Sequence, residues 1–340
     1  MVIGRGRYRR VIPGILCVLL GHAGVSRAAA PGSTTAPQTS EYEYHRTEVL
    51  GTSLDLIVIA PEQASADLAA ETIFKEIERL RLILSTYDPK SEISGVNAGT
   101  QPTKVAPELI EVLQTYETWT RQTHGACSGQ MGELVQLWAQ AEKVQQLPEE
   151  SALKALVTRL GEPGWKIEAA TNTVTRLPGQ VINVNSLGKG YIIGKAIQAA
   201  RAKVPAVTGL LLNIGGDMMA SGSAAPKQQV PWRIGVADPN HHAENDPRLA
   251  QLKLNDLAVA TSGAYERSYE IKGKKYSHIL DPRTGRPAQG VLSATVIAPS
   301  AFEAEVAAKA ILLSGSEAGL EWLEEQPDYA AVIVREDGRA

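Results

Sequence analysis

The chain has 340 residues, long enough for one large domain or two ordinary ones, and its 44% hydrophobic, 21% charged composition is that of a globular protein. The first thirty residues hold five arginines and no acid, so without them 29 basic side chains face 37 acidic ones, a formal charge of −8 that does not invite nucleic acid. Two cysteines, Cys17 and Cys127, make neither a disulfide framework nor a thiolate metal cluster.

At the N-terminus Arg5, Arg7, Arg9 and Arg10 precede an apolar run over 11–20, and the small residues Ala28, Ala29 and Ala30 follow. This is the layout of a secretory signal peptide over 1–30, cleaved near Ala30. The apolar run is far shorter than the roughly 20 residues of a spanning helix. Cys17 follows Leu16 inside that run rather than a group of small residues, which excludes a lipoprotein anchor, and the surroundings of Arg9-Arg10 fit a twin-arginine signal poorly. The mature protein is expected to be soluble in the periplasm or outside the cell. Residues 31–41 read as a flexible linker, and 42–336 as one domain.

Residues 44–59 carry strand-type side chains broken at Gly51, an opening hairpin or bent strand. Ile73, Ile77, Leu80 and Leu84 are spaced four, three and four apart, one stripe of a helix. Helices are also expected over 107–123, 133–144 and 149–160, then strands over 165–168 and 181–184 and a helix over 190–203. Strands follow at 210–214, 232–236, 257–260, 265–271 and 294–297. Helices over 301–313 and 317–324 precede a last strand at 329–334. Strands and helices come in runs rather than in strict alternation, which predicts an α+β fold.

No GxxxxGK[ST], HExxH, GxSxG or strand-borne GxGxxG pattern is present. Gly215-Gly216 after an apolar run marks a turn, where backbone either merely reverses or approaches a ligand. His241-His242 sit in a polar loop without a third spaced ligand, the mark of a solvated loop. Residues 276–287, YSHILDPRTGRP, are richer. Proline and glycine fix the loop, so its arginines, threonine and backbone N–H groups are held either as an ordinary Asp-Pro turn or as a cradle for phosphate oxygens.

Seven pieces in order give a more specific reading: LGTSLDL at 50–56, LSTYDPKSEISGVN at 84–97, GELVQLW at 132–138, LGKGYIIGKA at 187–196, NIGGDMMASG at 213–222, ATSGAYER at 260–267 and YSHILDPRTGRP at 276–287. Together they resemble the FAD:protein FMN transferases, the ApbE family. The resemblance implies an α+β, T-fold-like catalytic domain that is exported. It also implies that FAD is bound with Mg²⁺ and that its FMN half moves onto a threonine of an exported acceptor protein. It places flavin contacts at Leu50, Tyr87, Ala126, Cys127, Ser128, Asn183, Lys189 and Ile279, with His278 and Asp281 beside the last as catalytic candidates together with Glu305. The Tyr87 ring suits stacking on a planar ring system.

The same resemblance implies a metal held by the backbone carbonyl of Ser186 and by an Asp and a Thr four apart on one helix face, positions filled here by Glu305 and Lys309. Glu305 keeps a carboxylate for a hard cation. The ammonium of Lys309 cannot ligate Mg²⁺; it either stands where the metal would stand and neutralises the pyrophosphate, or points to solvent on a decayed site. Other departures are Cys127, Ser128, Gly129 and Gln130 where most members read FDPT, Asn183 in place of an acid, and Gly194 in place of Asp. Three functions follow: an FMN transferase, a flavin-binding protein with a degenerate metal site and no transfer, or an FAD pyrophosphatase in which water replaces the threonine.

Overall fold

A computed structural model describes residues 3–5, 39–240, 248–265 and 267–337. Apart from 3–5, the expected signal peptide lies outside the described residues, as do 31–38 of the expected linker and His241-His242. Among the described residues no helix is long and apolar enough to cross a membrane.

Eight strands form the main sheet: Ile3–Arg5 (β1), Ser40–Val49 (β2), Thr52–Ala60 (β3), Gly209–Ile214 (β4), Asp217–Gly222 (β5), Ala258–Gly263 (β6), Val291–Ala298 (β7) and Ala330–Arg335 (β8). Their order is β1-β8-β7-β6-β5-β4-β3-β2, and every neighbouring pair is antiparallel. In β3 the period of two is plain: Leu54, Leu56 and Val58 are fully buried while Ser53 and Asp55 are exposed. The buried face packs on Gln63–Leu84 (α1), where Ile73, Ile77, Leu80 and Leu84 enter the same core. Each such leucine contributes about 1.5–3 kcal/mol relative to exposure.

Among the described residues further helices are Glu92–Ala98 (α2), Pro107–Gln122 (α3), Gly132–Val144 (α4), Glu150–Leu160 (α5), Gly188–Lys203 (α6) and Ala301–Ser314 (α7). Helix α6 lies on α1 and α7, and α7 lies on β6 and β7, so α1, α6 and α7 cover one face of the sheet. Ser316–Glu324 (α8) packs on α7 and β8. The opposite face carries Ile59, Ala220 and Val259 and is covered by the strand pair Trp232–Val236 and Ala250–Leu254.

The structure adds elements that the sequence reading did not expect, among them α2 and the strands Thr173–Arg176, Ala250–Leu254 and Lys274–Ser277, and two further strands depart from it instructively. Residues 181–184 are not a strand, and Asn183 makes only an isolated bridge to Gln130. The Asn97 amide replaces a strand neighbour: its Nδ2 donates to the Ile182 carbonyl at 2.8 Å, and its Oδ1 accepts from the Ile182 N–H at 2.9 Å. Conversely β5, with its methionines and small residues, has little intrinsic strand character and is held by pairing with β4 and β6.

Ile182 is almost wholly buried, so Asn97→Ala leaves both of its backbone groups without their partner. We expect a loss of about 1–3 kcal/mol, read as a lower urea midpoint at constant m-value. An unchanged midpoint would show that Ile182 is satisfied otherwise.

Candidate active site

The site forms where the N-terminus of α6, the middle of α7 and the β4–β5 turn meet. Gly215 and Gly216 have φ of +58° and +92°, so the turn is a two-residue hairpin of the kind that needs left-handed residues, and it delivers Asp217 opposite Ile214 at the start of β5. The Lys189 ammonium meets the Asp217 carboxylate at 2.5 Å.

Glu305 projects from α7 into the opening turn of α6 with its side chain only 3% exposed. Its Oε2 accepts the Gly190 N–H at 2.8 Å, one of the donors that a helix start leaves without an intrahelical partner, and a carboxylate is favoured there by the helix dipole. The approach needs glycine: a Cβ on residue 190 would lie 2.5 Å from the Ala301 carbonyl oxygen and 2.6 Å from Phe302 Cα.

Lys309, one turn further along α7, donates from Nζ to Glu305 Oε1 at 2.9 Å and to the Ser186 carbonyl at 2.8 Å. The structure therefore brings the three expected metal positions together, with the ammonium between the two oxygens. These residues do not fit a divalent cation, because a single carboxylate and one carbonyl are already shared by a positive charge. Among the described residues there is also no group of three His, Cys, Asp or Glu able to hold a metal.

Tyr116, from α3, is fully buried, and its hydroxyl shares a 2.8 Å hydrogen bond with Ser186 Oγ. Burial first, and the neighbouring Cys127 next, push this phenol well above its ordinary value. Cys127 is fixed by its own backbone, its N–H donating to Thr123 Oγ1 and its carbonyl accepting from Thr120 Oγ1. Burial pushes its thiol up to about 12, with Lys309 pulling it down and Glu305 raising it, so it is not a thiolate nucleophile. Ala126 and Ser128 are buried on either side, and Ser128 Oγ accepts from Gln130 N.

Tyr87 is 83% exposed, yet its hydroxyl accepts from Asn185 Nδ2 at 3.0 Å, and Asn185 Oδ1 accepts from Thr86 Oγ1. Asn183 Oδ1 in turn accepts the Asn185 N–H. The segment from Asn183 to Lys189 thus links an exposed aromatic face, through Ser186, to the two ammonium groups. Leu50 sits at the β2–β3 turn with φ +51°, a strained position for a side chain of its size.

The loop at 276–287 folds as a small hairpin, Leu280–Asp281 pairing with Arg286–Pro287. Asp281 accepts from Arg283 N at 2.8 Å, Nε at 2.9 Å and Nη2 at 2.8 Å, while Arg283 Nη2 also donates to the Leu313 carbonyl. Trp138 of α4 donates to the Gly285 carbonyl, so the GELVQLW segment anchors the DPRTG turn. With its carboxylate engaged, Asp281 positions the loop. Ile279 is buried, and its carbonyl accepts the Ala288 N–H. His278 Nδ1 lies 3.0 Å from the Arg267 carbonyl; a proton on Nδ1 makes Nε2 the basic nitrogen.

Three contributors escaped the sequence reading. Asp217 had a signal, an acid directly after Gly215-Gly216. Asn185 had a weaker one, two residues beyond Asn183. Tyr116 looks like any other core position of an amphipathic helix.

Comparison with known proteins places the fold first. The ApbE protein of Thermotoga maritima superposes with a TM-score of 0.78 at 28% identity, covering 88% of this chain and 96% of its own. The architecture is accordingly the ApbE-like α+β domain. Residues 50–333 match the model of the ApbE family, and the chain belongs to that family. Proteins named FAD:protein FMN transferase are similar throughout. One from Treponema pallidum is 28% identical over 87% of this chain and 86% of its own, and one from Vibrio cholerae is 29% identical over 85% and 86%.

Asp217 yields a pH signature. Burial first, then the charge of Glu305, pushes its carboxyl from 3.8 up to about 6, against the pull of Lys189. For Lys189, burial lowers the value, but Asp217 and Glu305 outweigh it and the ammonium is held charged. The folded chain binds the Asp217 proton more tightly than the unfolded chain does. That contribution to stability is complete below about pH 4 and is lost as the pH rises through about 6. Asp217→Asn should flatten this fall in thermal midpoint; an equal slope in both proteins would assign the titration elsewhere.

Proposed function

We propose that this protein moves the FMN half of FAD onto a threonine of an exported acceptor protein. Its membership of the ApbE family and the names of its relatives support a flavin transferase. The observation that carries the reading on this chain's own residues is the continuity from the tethered, exposed Tyr87 to the ammonium groups of Lys309 and Lys189. An aromatic face suits the isoalloxazine ring and the adjacent positive charges suit the pyrophosphate.

In the reaction the threonine oxygen bonds to the FMN phosphorus and loses its proton. The bond from that phosphorus to the bridging oxygen breaks, and AMP leaves with the electron pair. The barrier falls by positioning and by neutralising charge on the phosphates. His278, in the loop that Asp281 and Arg283 hold in shape, is the candidate for taking the proton. The Mg²⁺ that the family resemblance implies is given no step here, because Ser186, Glu305 and Lys309 do not fit it.

We further propose that the chain is exported after cleavage near Ala30 and acts outside the cytoplasm, where its acceptor resides. The charged and apolar pattern of residues 1–30 supports this. Intact mass of the secreted protein should begin near residue 31; a secreted species that still starts at Met1 would refute it.

The transfer itself is tested by incubating the mature protein with FAD and a threonine-bearing acceptor peptide. The peptide should gain the mass of FMN less water as AMP appears. Free FMN and AMP with an unmodified peptide would instead identify a pyrophosphatase, and intact FAD retained on the protein a binding protein without transfer. Tyr87→Ala should weaken FAD binding by about 0.5–1.5 kcal/mol beyond the lost contact area, by calorimetry.

A further inference from the structure

We infer that this chain carries its own cation: the Lys309 ammonium takes the place of a divalent metal ion at the pyrophosphate of the bound dinucleotide. The inference rests on the proposed flavin chemistry but draws on a separate observation. A cation at this point would need the Ser186 carbonyl and the Glu305 carboxylate, and both oxygens already accept from Lys309 Nζ, at 2.8 and 2.9 Å. Both oxygens of Glu305 are engaged, since the other one accepts the Gly190 N–H.

The pairing is built in rather than incidental. Glu305 is 3% exposed and holds a helix start, so an unpaired charge there is costly, and the i,i+4 spacing on α7 keeps Lys309 within reach without distortion. Besides Glu305 on its own helix, the groups that interact with the ammonium include the Asp217 carboxylate, itself engaged by Lys189, and the buried Cys127 thiol.

An ammonium has three N–H donors, and the Ser186 carbonyl and Glu305 take two of them. The third is left for a phosphate oxygen, and the Lys309 side chain is 25% exposed, so one side of it is open to an arriving ligand. Lys309 and Lys189, each paired with a carboxylate, then offer two ammonium groups near the start of α6 as charge-assisted donors to phosphate. Charge developing on the departing AMP phosphate meets the Lys309 N–H donor directly.

The experiment pairs a metal titration with a flavin titration on the mature protein. In the first, Mn²⁺ is added and the paramagnetic resonance signal of the free ion is followed. In the second, FAD binding is measured by calorimetry in EDTA and again in Mg²⁺. The unmodified protein should take up no Mn²⁺ and bind FAD with affinities within about twofold in the two media. Lys309→Thr removes the ammonium and offers an oxygen. It should take up Mn²⁺ stoichiometrically and lose about tenfold or more in FAD affinity in EDTA, regained with Mg²⁺. Lys309→Gln gives the same comparison should the threonine variant fail to fold.

Mn²⁺ uptake by the unmodified protein that disappears in Glu305→Gln would overturn the inference and leave the flavin reading intact. FAD binding that needs Mg²⁺ would do the same. Absence of FAD binding in both media would instead sink the flavin reading, and the Mn²⁺ titration, which needs no flavin, still decides whether Lys309 excludes a metal.

Discussion

The buried carboxylate of Glu305 is the interaction on which the rest of the site depends. One of its oxygens fixes α6 through the Gly190 N–H and the other holds Lys309, so a single side chain sets the distance between two helices and the place of a charge. The absence of a Cβ at residue 190 is what lets α7 come close enough. Without that contact the Ser186 carbonyl would lose its donor, and the turn from Asn183 to Lys189 would lose its inner support.

Around this carboxylate the electrostatics are arranged as two ion pairs, Lys309 with Glu305 and Lys189 with Asp217, at the positive end of α6. The pairs are unequal. Glu305 has a backbone N–H as well as an ammonium, whereas burial and its neighbour's charge push the Asp217 carboxyl upwards. Such a cluster has little net charge of its own, because each ammonium is matched by a carboxylate. Cys127 adds no reactivity, since its thiol stays protonated.

Much of the scaffold was legible because its periodicities were strong. The α1 stripe and the alternation in β3 reflect burial on one face, which composition cannot disguise. The 181–184 segment misled because its apolar alternation is real but its partner is the side chain of Asn97, a long-range contact invisible to local pattern. Strand β5 failed for the opposite reason, having a partner but no propensity. In the site, the i,i+4 pair of Glu305 and Lys309 was readable from spacing. That Lys309 meets Ser186 came from the family resemblance and not from spacing, because the direction of a lysine side chain is decided by what lies across the helix interface. The contact of Asp281 with Arg283, two residues on, is likewise one that the motif alone does not reveal.

Adjacent strands β3 and β4 are joined through residues 61–208, and that excursion contains Tyr87, Tyr116, Cys127, Asn183, Ser186 and Lys189. Closing a loop grows more costly only slowly with length, by about 0.6 kcal/mol per doubling. The length of the segment between α1 and α6 therefore costs the sheet little, although its buried side chains, among them Leu109, Leu113, Tyr116 and Ile182, share the main core. One wall of the candidate site can diverge by insertion and substitution while the other, carried by α7 and β5, stays tied to the sheet. Divergence in recognition and persistence of the fold are assigned to different stretches of the same chain.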